Sequence, residues 1–195
     1  MLKLLDEFNL VVATYRQREN DALAELWYFA REIGDTRFDA SKTGLPSLVV
    51  ARTSLDPEYF VTKAYEKTLG SPWYFRCILK LTPIHVTVEA SLENITKAAL
   101  DLVSQKLGAN ETFKVETHIR LSELTRDEII NALAGVIPNK VNLDYPDKIV
   151  LVEVIGVRAG ISVIPPKMIV SMEKTRREAR QRQTSRENVD LEKML

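Results

Sequence analysis

Between Phe113 and Arg120 the chain alternates with period two. Phe113, Val115, Thr117 and Ile119 fall on one side, and Lys114, Glu116, His118 and Arg120 on the other. A second strand-like run, Phe75 to Leu81, sets Phe75, Cys77, Leu79 and Leu81 on one face and Arg76 and Lys80 on the opposite one. Cations held outward at regular spacing neutralise successive phosphates of a nucleic acid, and an imidazole among them stacks on a base or, when protonated, binds a phosphate. Arg126, Lys148, Arg158 and Lys167 are further candidates by charge and loop position alone. Trp73 and Tyr74 offer stacking faces just ahead of Arg76, although aromatics at a strand edge more often pack on a helix. The plainer reading of each cation is ordinary solvated surface.

Other chemistries find less support. Cys77 is the single cysteine, which excludes an internal disulfide and a multi-cysteine zinc site; among Phe75, Leu79 and Leu81 it reads as core filling rather than as a nucleophile. His85 and His118 lack ligand spacing, so no metal is expected. There is no Gly-rich phosphate loop, no G-x-G-x-x-G and no H-x-E with P-C-x-x-C, so no cofactor is expected either. The 27 basic residues balance the 27 acidic ones, so any polyanion site must be a local patch. The N-terminus turns acidic at Asp6 and Glu7, short of a signal peptide, and apolar runs such as Ile149 to Val152 are strand-sized, so the expectation is a soluble protein of the cytoplasm without a membrane partner.

The elements that must position these residues follow from punctuation and periodicity. Phe8 to Thr14 reads as a strand, and Leu23, Leu26, Trp27, Ala30 and Ile33 mark one face of a helix that Gly34 ends. Residues 35 to 46 read as a loop, Leu48 to Ala51 as a buried strand, and Asp56-Pro57-Glu58 as a capped helix start running to Gly70. With the run from Phe75, the first unit is β-α-β-α-β. Ser91 opens a helix stopped by Gly108; the alternating strand follows; Thr125 and Glu128 form a capping box ahead of Ile129, Ile130, Leu133, Val136 and Ile137. Val141 to Leu143, a turn at Tyr145-Pro146-Asp147, a central strand Ile149 to Ile155 and a last strand Ile161 to Ile164 complete a mixed α/β (α+β) fold, and Pro165-Pro166 ends the regular structure.

The segment Phe113 to Ile164 resembles the THUMP domain. The resemblance rests on Phe113-Lys114-Val115 with Arg120, on Lys140-Val141-Asn142-Leu143-Asp144-Tyr145-Pro146-Asp147, and on Val152-Glu153-Val154. Leu10 to Thr14 with Glu19 and Glu25-Leu26, and Phe75 to Pro83, are similar to the ferredoxin-like part of stand-alone THUMP proteins that assist tRNA cytidine acetyltransferase. The resemblance implies a ferredoxin-like N-terminal domain (1–84) packed on a THUMP domain (85–167), followed by a charged helical or flexible tail (168–195). It implies a tRNA-binding adaptor, itself not an enzyme, that presents the acceptor stem and unpaired 3′ end to a separate acetyltransferase forming 4-acetylcytidine. Arg120 and Lys140 are the RNA-binding positions that match the motif, with Lys114, Arg76 and Lys80 extending the path.

Two alternatives stand beside this one: a protein-interaction scaffold without RNA, and a small nucleotide-acting enzyme. From Glu173 to Arg186 the tail holds Lys174, Arg176, Arg177, Arg180, Arg182 and Arg186 against Glu173 and Glu178. That could grip phosphates, but Glu173 with Arg177 and Glu178 with Arg182 are the i,i+4 pairs of a solvated helix, which is the plainer reading. Leu191 and Leu195 form one weak apolar i,i+4 pair of a kind that docks on a partner helix.

Overall fold

The computed structural model describes residues 6–194, with side chains through residue 187. In chain order the elements are β1 (Leu10–Thr14), α1 (Glu19–Glu32), β2 (Asp39–Lys42), β3 (Leu48–Arg52), α2 (Pro57–Gly70), β4 (Ile78–Pro83), β5 (Val86–Glu89), α3 (Leu92–Lys106), β6 (Phe113–Arg120), α4 (Arg126–Val136), β7 (Lys148–Ile155), β8 (Arg158–Ile164), β9 (Val170–Ser171) and α5 (Met172–Met194). The architecture is mixed α/β with two sheets, ordered β2-β3-β1-β4-β9 and β5-β8-β7-β6. The chain divides into two compact units, one of residues 11–82 with those from 170 onward, the other of residues 6–10 and 83–169. The expected pairing of Leu191 with Leu195, and Met1 to Leu5, lie outside the described side chains. None of the described helices is long and apolar enough to cross a membrane.

In the first unit the order β1-α1-β2-β3-α2-β4, with sheet order β2-β3-β1-β4, is the ferredoxin-like arrangement. The expected β-α-β-α-β lacked one strand. Asp39–Lys42, expected as loop, pairs antiparallel with β3, Asp39 opposite Arg52 and Lys42 opposite Val49. Its residues, Asp, Ala, Ser and Lys, carry no large apolar side chain and are exposed or only partly buried, so no hydrophobic alternation announces it. Helix α2 starts as its sequence dictates: the Asp56 side chain accepts from the Tyr59 amide at 2.9 Å and Pro57 occupies the first turn. Phe29 meets Phe60 edge-on at 5.3 Å and Phe75 at 5.2 Å in the core. Two acids fasten loops to α1: Glu19 accepts from the Ser47 amide at 2.7 Å, and Glu25 from the amides of Arg76 (2.7 Å) and Cys77 (3.1 Å).

Pro165-Pro166 does not end the regular structure. After a short 3-10 turn, β9 pairs antiparallel with β4, placing Lys80 opposite Ser171, and α5 continues for 23 residues. Its start is anchored. Arg176 is buried, donating to the carbonyls of Pro72 (2.8 Å) and Phe75, and the Tyr65 hydroxyl bonds Glu178 at 2.8 Å.

In the second unit β6 runs parallel to β7, and β7 and β5 run antiparallel to β8. Helices α3 and α4 cover one face, where Ile95, Ala99, Leu102, Ile129 and Leu133 join Val150, Val152, Val154, Ile161 and Val163. Both helix starts follow the sequence: Ser91 accepts from the Asn94 amide, and Thr125 and Glu128 form the full capping box. β5 and the extent of β8 back to Arg158 were not foreseen. The signal was present in Gly156, which takes φ +61° as first residue of the two-residue link Gly156-Val157 between β7 and β8.

The other face of β7 is buried as well: Ile149, Leu151, Glu153 and Ile155 are each at most 3% exposed. Opposite Glu153 on β8 lies Gly160, whose missing Cβ makes room for Phe8 and Ile84; an added Cβ would sit 2.8 Å from Phe8 Cε2 and 2.9 Å from Ile84 Cγ2. Glu153 is thus a buried carboxylate in an apolar layer, and Arg120 compensates it, Nη1 to Oε2 at 2.7 Å.

Two stability outcomes follow, each read from urea unfolding. Gly160→Ala should cost about 1–3 kcal/mol by overpacking, and adding Phe8→Leu should recover part of it. Arg120→Leu should cost about 2 kcal/mol, because it strands Glu153, and a second change Glu153→Gln should return most of that loss; strict additivity of the two changes would show the pair to be uncoupled.

Candidate nucleic-acid interface

Strand β6 has the expected alternation, and the register places Lys114, Glu116, His118 and Arg120 on the side away from the helices, against Ile149, Leu151, Glu153 and Ile155 of β7. The cations there are largely spent on neighbours. Lys114 Nζ lies 3.5 Å from one Glu116 oxygen, His118 Nε2 lies 3.4 Å from the other, and Arg120 holds Glu153. Arg120 still has N–H donors that Glu153 does not use, and its side chain is one-third exposed, 33%.

Lys140 lies at the other end of the same strand. Its carbonyl accepts from the Phe113 amide at 3.1 Å, and Val141 forms a parallel bridge with Phe113, whereas Arg120 is the last residue of β6. Seven residue steps at about 3.3 Å put roughly 23 Å between these two ends. The structure therefore brings Lys140 near Lys114 and leaves Arg120 at a distance. The Lys140 side chain is exposed and has no ion-pair partner among the described residues.

The loop carrying Lys140 is built by its polar residues. Asn139 Nδ2 donates to the carbonyls of Gly108 (2.8 Å) and Glu111 (3.0 Å), and the Asn142 side chain accepts from the amides of Asp144 (3.2 Å) and Tyr145 (3.1 Å). Asp147 accepts from the Thr112 amide (2.7 Å) and hydroxyl (2.9 Å), which hold its carboxyl below the usual range. So tied, the loop turns Leu143 and Tyr145 outward, 71% and 87% exposed. In the sequence these residues stand out only as a motif, a short segment and a turn. Their exposure makes Tyr145 a stacking surface close in sequence to Lys140.

The positions expected on the strand from Phe75 separate. Arg76 is exposed but precedes β4, in the turn pinned by Glu25, while Lys80 is a half-buried residue within β4. The expected alternation slips because Cys77 and Ile78 are both buried. Cys77 is a core thiol, pushed up by burial and by Glu25, which is unlike a reactive thiolate. His85 Nδ1 accepts from the Val163 amide at 3.2 Å. Among the described residues no group of three metal-binding side chains comes together. Trp73 remains 65% exposed with the Arg176 guanidinium 4.4 Å over its ring, whereas Tyr74 packs on Phe75 and bonds Glu32 at 2.7 Å. Of the remaining candidates, Arg126 and Lys167 are exposed, Lys148 is half-buried, and Arg158 lies 3.9 Å from Asp6.

Comparison with known proteins gives this arrangement a family context. Residues 89–164 match the THUMP domain. Human THUMP domain-containing protein 1 is 30% identical over 172 residues, 77% of this chain and 47% of that protein, so the chain spans about half the length of this relative. Among solved structures, PH1313 of Pyrococcus horikoshii Ot3 superposes with a TM-score of 0.61 at 15% identity, covering 81% of this chain and 55% of that one. A 4-thiouridine synthetase in complex with RNA and ATP superposes with a TM-score of 0.51 at 18% identity, covering 81% and 42%. These two likenesses are of fold. They also correct one expectation: the reading of this chain as not an enzyme fails, because the same fold occurs in a synthetase, and missing phosphate-loop and zinc patterns do not exclude catalysis. The chain carries a THUMP domain over residues 89–164 and is a homologue of THUMP domain-containing protein 1.

Proposed function

We propose that the protein binds tRNA through its THUMP domain and acts in tRNA modification, presenting the acceptor stem and unpaired 3′ end to a separate modifying enzyme. The observation that carries this reading is the THUMP domain itself, whose fold recurs in a 4-thiouridine synthetase captured with RNA. The partner enzyme in this proposal is an acetyltransferase forming 4-acetylcytidine, a reading supported by the first-unit residues Glu19, Glu25 and Phe75 to Pro83 that resemble the acetyltransferase's adaptor. Lys140 is the proposed phosphate contact because it is exposed and unshared, with Tyr145 of the same loop as a base-stacking face. Arg120 contributes through the N–H donors left over from Glu153 and therefore adds hydrogen bonds more than net charge. Lys114, shared with Glu116, adds less, and Arg76 and Lys80 are further proposed contacts within the first unit.

The test is affinity for intact tRNA and for tRNA lacking its 3′ end, at about 0.1 M salt, where close phosphate contacts persist. Wild type should prefer the intact RNA. Lys140→Glu should weaken binding by roughly tenfold and lower the salt slope by about one contact, while thermal stability stays unchanged. Absence of tRNA binding by the wild-type chain would overturn the proposal.

A further inference from the structure

Helix α5 shows a segregation of charge that the balanced total conceals. Met172, Thr175, Arg176 and Ala179 form its buried stripe. Outside this stripe Lys174, Arg177 and Arg180 follow one another at i, i+3 and i+6, each exposed and without an ion-pair partner among the described residues. Neighbours at this spacing lie about 5–6 Å apart, which suits consecutive phosphates. Of the two acids on this stretch, Glu178 is taken up by Arg182 at 2.6 Å and by the Tyr65 hydroxyl, leaving Glu173 as the one carboxylate beside the row. This row therefore keeps its charge, unlike the face of β6, where glutamates neutralise the cations.

An independent observation points to the same ligand. Trp73 is 65% exposed although Arg176 stacks on it, so one face of the indole is satisfied and the rest is open. Arg180 follows Arg176 by one helical turn, so the last cation of the row lies one turn along the helix from the residue that holds this ring. A phosphate chain flanked by bases needs this combination of cations and an aromatic plate. An anionic membrane needs apolar side chains to insert, and the exposed residues 180–187 are Arg, Gln, Arg, Gln, Thr, Ser, Arg and Glu.

We propose that α5 and Trp73 form a second RNA contact surface, on which Lys174, Arg177 and Arg180 bind consecutive phosphates of an unpaired RNA segment and Trp73 stacks on a base. The inference rests on the tRNA-binding reading above and extends it to a part of the chain outside the THUMP domain.

The experiment follows Trp73 emission in the full chain carrying Trp27→Phe, titrated with tRNA at several salt concentrations. A second protein carries Lys174→Gln, Arg177→Gln and Arg180→Gln in addition; all three positions are exposed, and an unchanged melting temperature verifies its fold. The surface predicts quenching by tRNA in the first protein, and in the second a loss of quenching, at least tenfold weaker binding and a salt slope shallower by about two. Equal affinity and slope in the two proteins, with tRNA still bound, would overturn this surface and leave the THUMP-domain reading intact. No binding by either protein overturns both. Capture by phosphatidylserine vesicles without capture by tRNA overturns the inference in favour of a membrane.

Discussion

Strand β7 is buried along both faces, and that constraint decides how charge is arranged around it. A strand of Ile, Val and Leu suits such a site, but Glu153 interrupts it, and a carboxylate removed from water needs a cation nearby. The parallel register with β6 supplies Arg120. Gly160 opposite keeps the space into which Phe8 and Ile84 pack. Glutamate, arginine and glycine thus form one unit of structure, and each is intelligible only with the other two.

The same arrangement bears on function. A strand face bearing lysine, histidine and arginine looks in sequence like a cationic strip, yet Glu116 and Glu153 make it nearly balanced. Unshared positive charge lies instead at the edges of the fold, on Lys140 and on the outer side of α5. This resolves the difficulty posed by a chain with no net charge: attraction for a polyanion needs local excess, and local excess survives where cations outnumber the carboxylates beside them.

What the sequence revealed was governed by local physics. The capping box at Thr125 and Glu128, the Asp56-Pro57 start and the Ser91 cap involve residues within one helical turn, so spacing alone exposes them. β2, β5 and β9 escaped notice because their short sequences become strands through pairing partners distant in the chain. The candidate site shows the same divide. Alternation correctly put Lys114 and Arg120 on one face, but not the pairing of Arg120 with a glutamate 33 residues away, nor the length of strand separating Arg120 from Lys140. Arg176, counted among the tail's surface cations, is an anchor because two backbone carbonyls more than a hundred residues earlier await it.

The claim that the fold spends some cations and spares others is tested most directly by lysine-selective chemical footprinting of the full chain with and without tRNA, read residue by residue by mass spectrometry. Protection of Lys140 and Lys174 with little change at Lys114 is the expected result. Protection of Lys114 with Lys140 and Lys174 unchanged would contradict the account, since RNA would then bind the face of β6 on which the acids already hold the cations.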